Sequence, residues 1–331
     1  MRIVLPILAA LAACGGADAP GPPRKPGAAV LSLLALHAGD NPPVVDGSGS
    51  DQAWAAAEEL AVPLDGKVKE VRLKAVHDGE TLTLLAIWDD PERSMKRFWT
   101  DRGGLEWEVS SAEDMFALCI APGTQAREFR EQGCALFCHD GRHVWPSAGT
   151  GVVDWWRWGA QSTAMHPQAR DLFLRQGAEH RLRGDNQPGD SDNIPNRSDE
   201  YFGPAYYPFY VRADGDRILF ENNVRPVSKE WKRTKLSGPG NEGRRIPLDV
   251  LRGRSGSRGD VLAASRHHEG RVWVLELSRR LRTDEPDDLG VGDPLVPALI
   301  AVAICDDQED KDHARSGPLE LRFGRDTRKE E

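Results

Sequence analysis

The sequence predicts an all-β protein, an antiparallel β-sandwich with long loops and few short helices. Short apolar or alternating runs recur along the chain, and Gly, Asp, Asn or Pro turns separate most of them. Helical periodicity is confined to two brief stretches. Repeated short strands with turn punctuation are the pattern of a sandwich. With 331 residues, the chain is long enough for one large core.

The first element is not part of that core. Arg2 and the apolar run from Ile3 to Ala13 make a short positive start and a hydrophobic segment too brief to span a bilayer, as in an export signal. The run closes on Leu11, Ala12, Ala13, Cys14 and Gly15, which is similar to a bacterial lipobox. Residues 1–13 are therefore expected to be a lipoprotein signal peptide and Cys14 the lipidated residue. Residues 14–27, rich in Gly, Ala and Pro, read as a flexible tether, with the domain over 28–331. This predicts a periplasmic protein held to a membrane by lipid. The residue after Cys14 is not Asp, which is compatible with the outer membrane.

Strands are expected over Val30–Leu36, Glu70–Val76, Thr81–Trp88, Asp114–Ile120, Arg217–Phe220, Arg271–Leu277, Leu299–Cys305 and Leu319–Phe323. His77, Asp78, Gly79 and Glu80 form a hairpin turn between two of them. The helical stretches are Gln52–Leu60 and Gln168–Gly177. The polar segment from Gly177 to Gly243 reads as long loops over the scaffold, where ligand contacts usually lie.

Composition narrows the function. Charged residues make up 29% with a net charge of -9, and no basic patch or tail suggests nucleic acid. An acidic surface suits docking to a basic partner. Of the ten tryptophans, four fall between Trp145 and Trp158. Such rings suit a pocket for a large flat ligand and equally a sandwich core. There is no Walker loop, H-E-x-x-H or G-x-S-x-G elbow. Gly238 to Gly243 formally matches G-x-G-x-x-G, but lies in a polar loop with no helix start behind it. The acidic pairs Asp89-Asp90, Asp287-Asp288 and Asp306-Asp307 read as solvated turn residues.

The chemistry-bearing motif is Cys134, Cys138 and His139, a C-x-x-x-C-H run one residue longer than the C-x-x-C-H of c-type haem attachment. Two thiols close together can add to the haem vinyl groups, and the histidine after the second is held under the iron. The extra residue must be absorbed as a bulge. A local disulfide, or a zinc site with His139 and His143, is the competing reading, although adjacent ligands at 138 and 139 crowd a tetrahedron. Cys119 and Cys305 lie in apolar strand-like runs as buried thiols, or as a pair in an oxidising compartment.

Several stretches resemble the ethylbenzene dehydrogenase-related haem-binding domain, in that family's order. They are Val45 to Trp54, Ala86 to Pro91, Asp154 to Ala160, Gly256 to Val261, and Gly270 to Thr283 followed by Asp287 and Asp288. The resemblance covers roughly residues 44–323. It implies a sandwich holding one haem and transferring electrons outside the cytoplasm. Well-known members hold a noncovalent b-type haem as the electron-transfer subunit of a molybdenum enzyme. Here C-x-x-x-C-H stands where those members have a methionine ligand, so the chain resembles a c-type branch.

The resemblance also places a second axial ligand near His267 and His268, with Met165, His166 and His143 as competitors and a solvated surface histidine as the bland alternative. Met95 and Met115 read as packing. Arg157, between Trp156 and Trp158, has the fork to neutralise a haem propionate, or is an ordinary surface arginine. The expectation is an electron carrier with one covalent haem c, working with an electron-transfer protein or a molybdenum-type oxidoreductase and without catalysis of its own. The alternative is a carbohydrate- or zinc-binding sandwich module without haem.

Overall fold

The computed structural model describes residues 30–103, 106–121, 129–131, 133, 151–161, 168–176, 193–195, 210–212, 224–226, 245–247, 249–251, 261–268, 271–282, 297–307 and 313–325. Strands dominate. In chain order they are β1 (Leu31–His37), β2 (Leu60–Asp65), β3 (Glu70–His77), β4 (Thr81–Asp89), β5 (Met95–Gly103), β6 (Glu106–Glu113), β7 (Met115–Ala121), β8 (Gly151–Gly159) and β9 (Arg170–Gln176). Then come β10 (Asn193–Pro195), β11 (Tyr210–Arg212), β12 (Val224–Pro226), β13 (Arg245–Pro247), β14 (Asp249–Leu251), β15 (Leu262–His268), β16 (Val272–Arg280), β17 (Ala298–Cys305), β18 (Ala314–Ser316) and β19 (Leu319–Phe323). A short helix, α1 (Gln52–Ala56), lies between β1 and β2, and residues 129–131 are also helical. Among the described residues no helix is long and apolar enough to cross a membrane.

The protein is all-β, with its strands arranged as a sandwich. Its main sheet runs β15-β16-β4-β3-β1-β19-β17-β7-β8-β9, and β2 and β18 pair with each other while also pairing with β3 and β17. Two halves, β15-β16-β4-β3 and β17-β7-β8-β9, are thus joined by two connections, β1–β19 and β2–β18. A bridge between Gln168 and Leu262 brings the β9 end of the sheet back to β15. The pairings among described strands are antiparallel, except that β1 runs parallel to both β3 and β19. Smaller sheets are β13-β5-β6, β10-β14 and β11-β12.

Alternation decides which side chains meet inside. On β16, Trp273, Leu275, Leu277 and Arg279 face the core together with Leu73, Trp88, Phe116, Leu118, Trp156 and Trp158. The opposite face of β16 is covered too. Glu276 there is fully buried and accepts the backbone N–H groups of Asp46 and Gly47 and the indole N–H of Trp54. Trp54 packs with Ala57, Val76, Leu85 and Val274 in a second apolar cluster. Gly47 has φ +78, and a Cβ there would lie 2.7 Å from the Ser265 backbone, so this close approach requires glycine.

The hairpin at Asp78–Gly79 forms as expected. Asp78 Oδ1 accepts the N–H groups of Glu80 and Thr81, and Gly79 sits at φ +96. The expected helix at Gln168–Gly177 does not form. Residues 170–176 are β9, paired with β8, and Asp171 is buried against Arg279, so tertiary pairing overrides a weak local pattern. The expected helix over Gln52–Leu60 stops at Ala56, because Leu60–Pro63 pairs with β3. Strands β5 and β6 occupy a stretch in which the sequence predicts no strand. Within 177–243, expected as loops, β10, β11 and β12 are strands, whereas the strand expected at 217–220 lies outside the described residues.

Cys119 and Cys305 do not pair with each other. Cys119 is opposite Ala301 and Cys305 opposite Met115, four rungs further along the β17–β7 ladder. At about 3.4 Å per residue the two lie roughly 13 Å apart, well beyond disulfide reach.

Candidate functional site

Among the described residues, a cluster of buried carboxylates lies where β4 and β17 end and β7 begins. Asp90 follows β4, Asp114 precedes β7 and Asp306 follows β17. All three are buried, and one carboxylate oxygen from each lies within 4.8 Å of the others. The chain reaches this arrangement by backbone ties. Asp90 N–H donates to the Arg271 carbonyl, Asp114 N–H to the Ser94 carbonyl, and Ala160 N–H to the Asp114 carbonyl.

The three carboxylates have different surroundings. Asp114 Oδ2 accepts the Ser94 N–H at 2.6 Å and the Trp273 indole N–H at 3.1 Å, while its Oδ1 accepts the Asp307 N–H at 3.3 Å. Asp306 accepts the Lys67 ammonium at 2.8 Å. Asp90 Oδ1 accepts the Glu92 N–H, but its buried Oδ2 has no hydrogen-bond donor. Burial pushes Asp114 up to about 7 and Asp90 up to about 6, and the neighbouring carboxylates push the same way. This corrects the reading of Asp89-Asp90 and Asp306-Asp307 as solvated turns. Asp90 and Asp306 are enclosed, a fact visible only once the sheet brings three strand ends together.

His267 stands beside this cluster on β15. Register places it opposite Trp273, which is opposite Trp88 on β4. Its ring lies 4.7 Å from Trp273, and Nε2 donates to the Asp90 carbonyl at 3.0 Å, leaving Nδ1 unprotonated in the neutral ring. Trp158 completes an aromatic group, 5.0 Å from Trp273 and 6.0 Å from Trp88. His268, one residue on, points to the other face and is exposed.

The structure does not bring Arg157 to that group. Trp156 and Trp158 face the core, so Arg157 faces outward, donating to Met115 Sδ at 3.0 Å and lying 5.9 Å from the Trp155 ring. Met115 is buried packing on the β7 face opposite Phe116 and Leu118, and Met95 packs partly buried against the core. Cys14, Cys134, Cys138, His139, His143, Met165 and His166 lie outside the described residues, as does the competing zinc set. The last described residue before the motif, Gly133, is buried. Its N–H donates to the carbonyl of the fully buried Phe129 at 2.7 Å, and it packs near Ser316 and Pro318. The chain therefore enters the cysteine motif from a point fixed to the sandwich.

A second polar device crosses the interior. Arg279 on β16 bonds both carboxylate oxygens of Asp154 on β8 and reaches Asp171 on β9 at 3.1 Å, with its guanidinium 4.8 Å from the Trp156 ring. All three charged groups are buried. The sequence reading missed this triad, although Asp154 and Arg279 both sit in family-like stretches.

Fold and site together define, among the described residues, an all-β domain with a buried acidic and aromatic end. The chain belongs to the ethylbenzene dehydrogenase family, whose sequence profile matches residues 46–316. No curated protein matches it. Among solved structures, a Bacteroides uniformis protein whose name proposes carbohydrate binding is similar at 11% identity and a TM-score of 0.37, over 89% of this chain and 100% of that one. A family 9 carbohydrate-binding module from Caldicellulosiruptor kristjanssonii, in complex with cellotriose, aligns at 9% identity and a TM-score of 0.32, over 89% and 95%. Likeness at this level carries no functional argument.

Proposed function

We propose that this chain is an exported electron carrier with one covalently attached haem, bound through Cys134 and Cys138 and ligated by His139. The observation that carries the reading is the C-x-x-x-C-H motif inside a chain of the ethylbenzene dehydrogenase family, within the matched residues. The anchored position of Gly133 supports it, since a haem on this loop would be carried against the sandwich rather than on a free tail. The bound haem would supply a one-electron ferric/ferrous couple.

The remaining residues have narrower roles in this reading. His268 offers an exposed imidazole for the second axial position, whereas His267 already commits Nε2 to the Asp90 carbonyl. Met165 is the third candidate. Arg157 would meet a propionate only on the outer face of β8. Lipidation at Cys14 would hold the protein to a membrane on the periplasmic side, and the acidic surface would favour a basic redox partner or the electron-transfer position in a molybdenum-type oxidoreductase complex. No catalysis is assigned to this chain.

A pyridine haemochrome spectrum on protein expressed with c-type maturation machinery, repeated after acidic acetone extraction, tests the reading. The expected result is a c-type spectrum that stays with the polypeptide and is lost in a Cys134→Ala/Cys138→Ala variant. Extractable haem would leave a b-type carrier. Protein without porphyrin would overturn both and favour a zinc- or carbohydrate-binding module.

A further inference from the structure

We propose that Asp90, Asp114 and Asp306 form a binding site for a hard divalent cation of calcium's size, independent of any haem. Three facts converge. The donors come from three separate strand ends, so their meeting is a product of the fold and not of a run of acidic sequence. The Asp90 side chain is fully buried, yet its Oδ2 has no hydrogen-bond donor. A buried carboxylate oxygen is normally paired or metal-bound. Finally, three carboxyl groups are crowded together with one ammonium, Lys67, bonded to Asp306, and a divalent cation would relieve the repulsion among them.

The donor chemistry selects the ion. An all-oxygen carboxylate set suits calcium, magnesium or manganese rather than zinc or copper. One oxygen from each residue lies within 4.8 Å of the others, close enough for one ion to bridge all three. Magnesium keeps several waters and takes one or two carboxylates, whereas calcium accepts more protein oxygens in flexible geometry, so three converging carboxylates favour calcium. Asp307 has φ 69, which turns its N–H toward Asp114 Oδ1 and holds that carboxylate in place. An ion bound here would join the end of β4, in one half of the sheet, to the ends of β7 and β17 in the other. It would also steady the Asp90 carbonyl that accepts His267.

The test uses the mature full chain, stripped with EDTA and desalted, and titrated with CaCl2 in a calorimeter alongside thermal melts followed by circular dichroism. The expected result is one calcium per chain, a higher Tm with calcium than in chelator, and weaker binding of magnesium. Asp90→Asn should weaken calcium by about tenfold or more, the scale seen on losing even an outer-shell partner. Asp306→Asn, a second isosteric change, should do the same if the first variant fails to fold. No binding heat and no Tm shift up to about 10 mM calcium, above the range of weak extracellular sites, would overturn the proposal. So would calcium binding that both variants retain unchanged. Neither readout depends on porphyrin, so failure here is distinct from failure of the haem reading.

Discussion

Glu276 accepts the indole N–H of Trp54 at 2.8 Å, across 222 positions of sequence. The same carboxylate also receives the Asp46 and Gly47 N–H groups, so one buried side chain holds the whole 46–54 loop against β16. Glu276→Ala leaves these donors without their acceptor. Equilibrium urea unfolding should show a loss of about 3 kcal/mol, the scale of orphaned buried donors to a charged group. An unchanged midpoint would mean that the loop is held by its apolar contacts alone.

Arg279 offers a sharper contrast between removing one partner and removing all. Arg279→Leu abandons Asp154 and Asp171 as buried carboxylates and should cost about 3–5 kcal/mol. Adding Asp154→Asn and Asp171→Asn to that variant should recover much of the loss, because the uncompensated charges are gone. Denaturant midpoints of the single and triple variants measure the difference.

His77 gives a pH dependence of known sign. Its Nε2 donates to the Gly324 carbonyl at 2.9 Å, and burial lowers its pKa below the ordinary histidine value of 6.5. The unfolded chain therefore takes up a proton at a higher pH than the folded one. The stability this group contributes is present above about pH 6.5 and is lost as the pH falls below it. His77→Gln, which retains a donor but does not titrate, should flatten the fall in Tm between about pH 7 and 5 relative to wild type. Parallel melting profiles would show that burial does not perturb this ring.

The two adjacent histidines separate by spectroscopy. If the chain carries haem as proposed and His268 is its second axial ligand, His268→Ala should shift the spectrum from low-spin to high-spin, whereas His267→Ala should leave the spin state intact and lower stability through the lost bond to Asp90. The reverse pattern would require His267 to ligate through Nδ1. No change in either variant would move the assignment to Met165.

Much of the sandwich was legible because its strands are long apolar runs bounded by turn residues, as in Thr81–Asp89 and Val272–Arg280, which are buried along most of their length. What failed was context-dependent. Arg170–Gln176 carries no decisive period of its own, and its strand is fixed by β8 and by the ion pair of Asp171. The family-like stretches were read as markers of haem binding, yet in the structure they meet one another. Glu276 holds Trp54, Arg279 holds Asp154, and Trp88, Trp158 and Trp273 pack together. Their first role is to build the fold. The acidic end was invisible because Asp90, Asp114 and Asp306 are far apart in the chain and look like ordinary turn residues one at a time.

Both connections between the halves of the sheet draw on residues near the C-terminus, Ala314–Ser316 opposite β2 and β17, and Leu319–Phe323 opposite β1 and β17. A polypeptide still emerging from a ribosome or an export channel has every other main-sheet strand before it has these. Before then the halves can meet through the Gln168–Leu262 bridge and the Arg279–Asp154 pair, but the strand-to-strand junctions wait for residues 314–323. Such a protein has reason to rely on a holding chaperone during biogenesis, and a nonsense mutation before residue 314 would remove both junctions, leaving the halves in contact through side-chain packing, buried ion pairs and one isolated bridge.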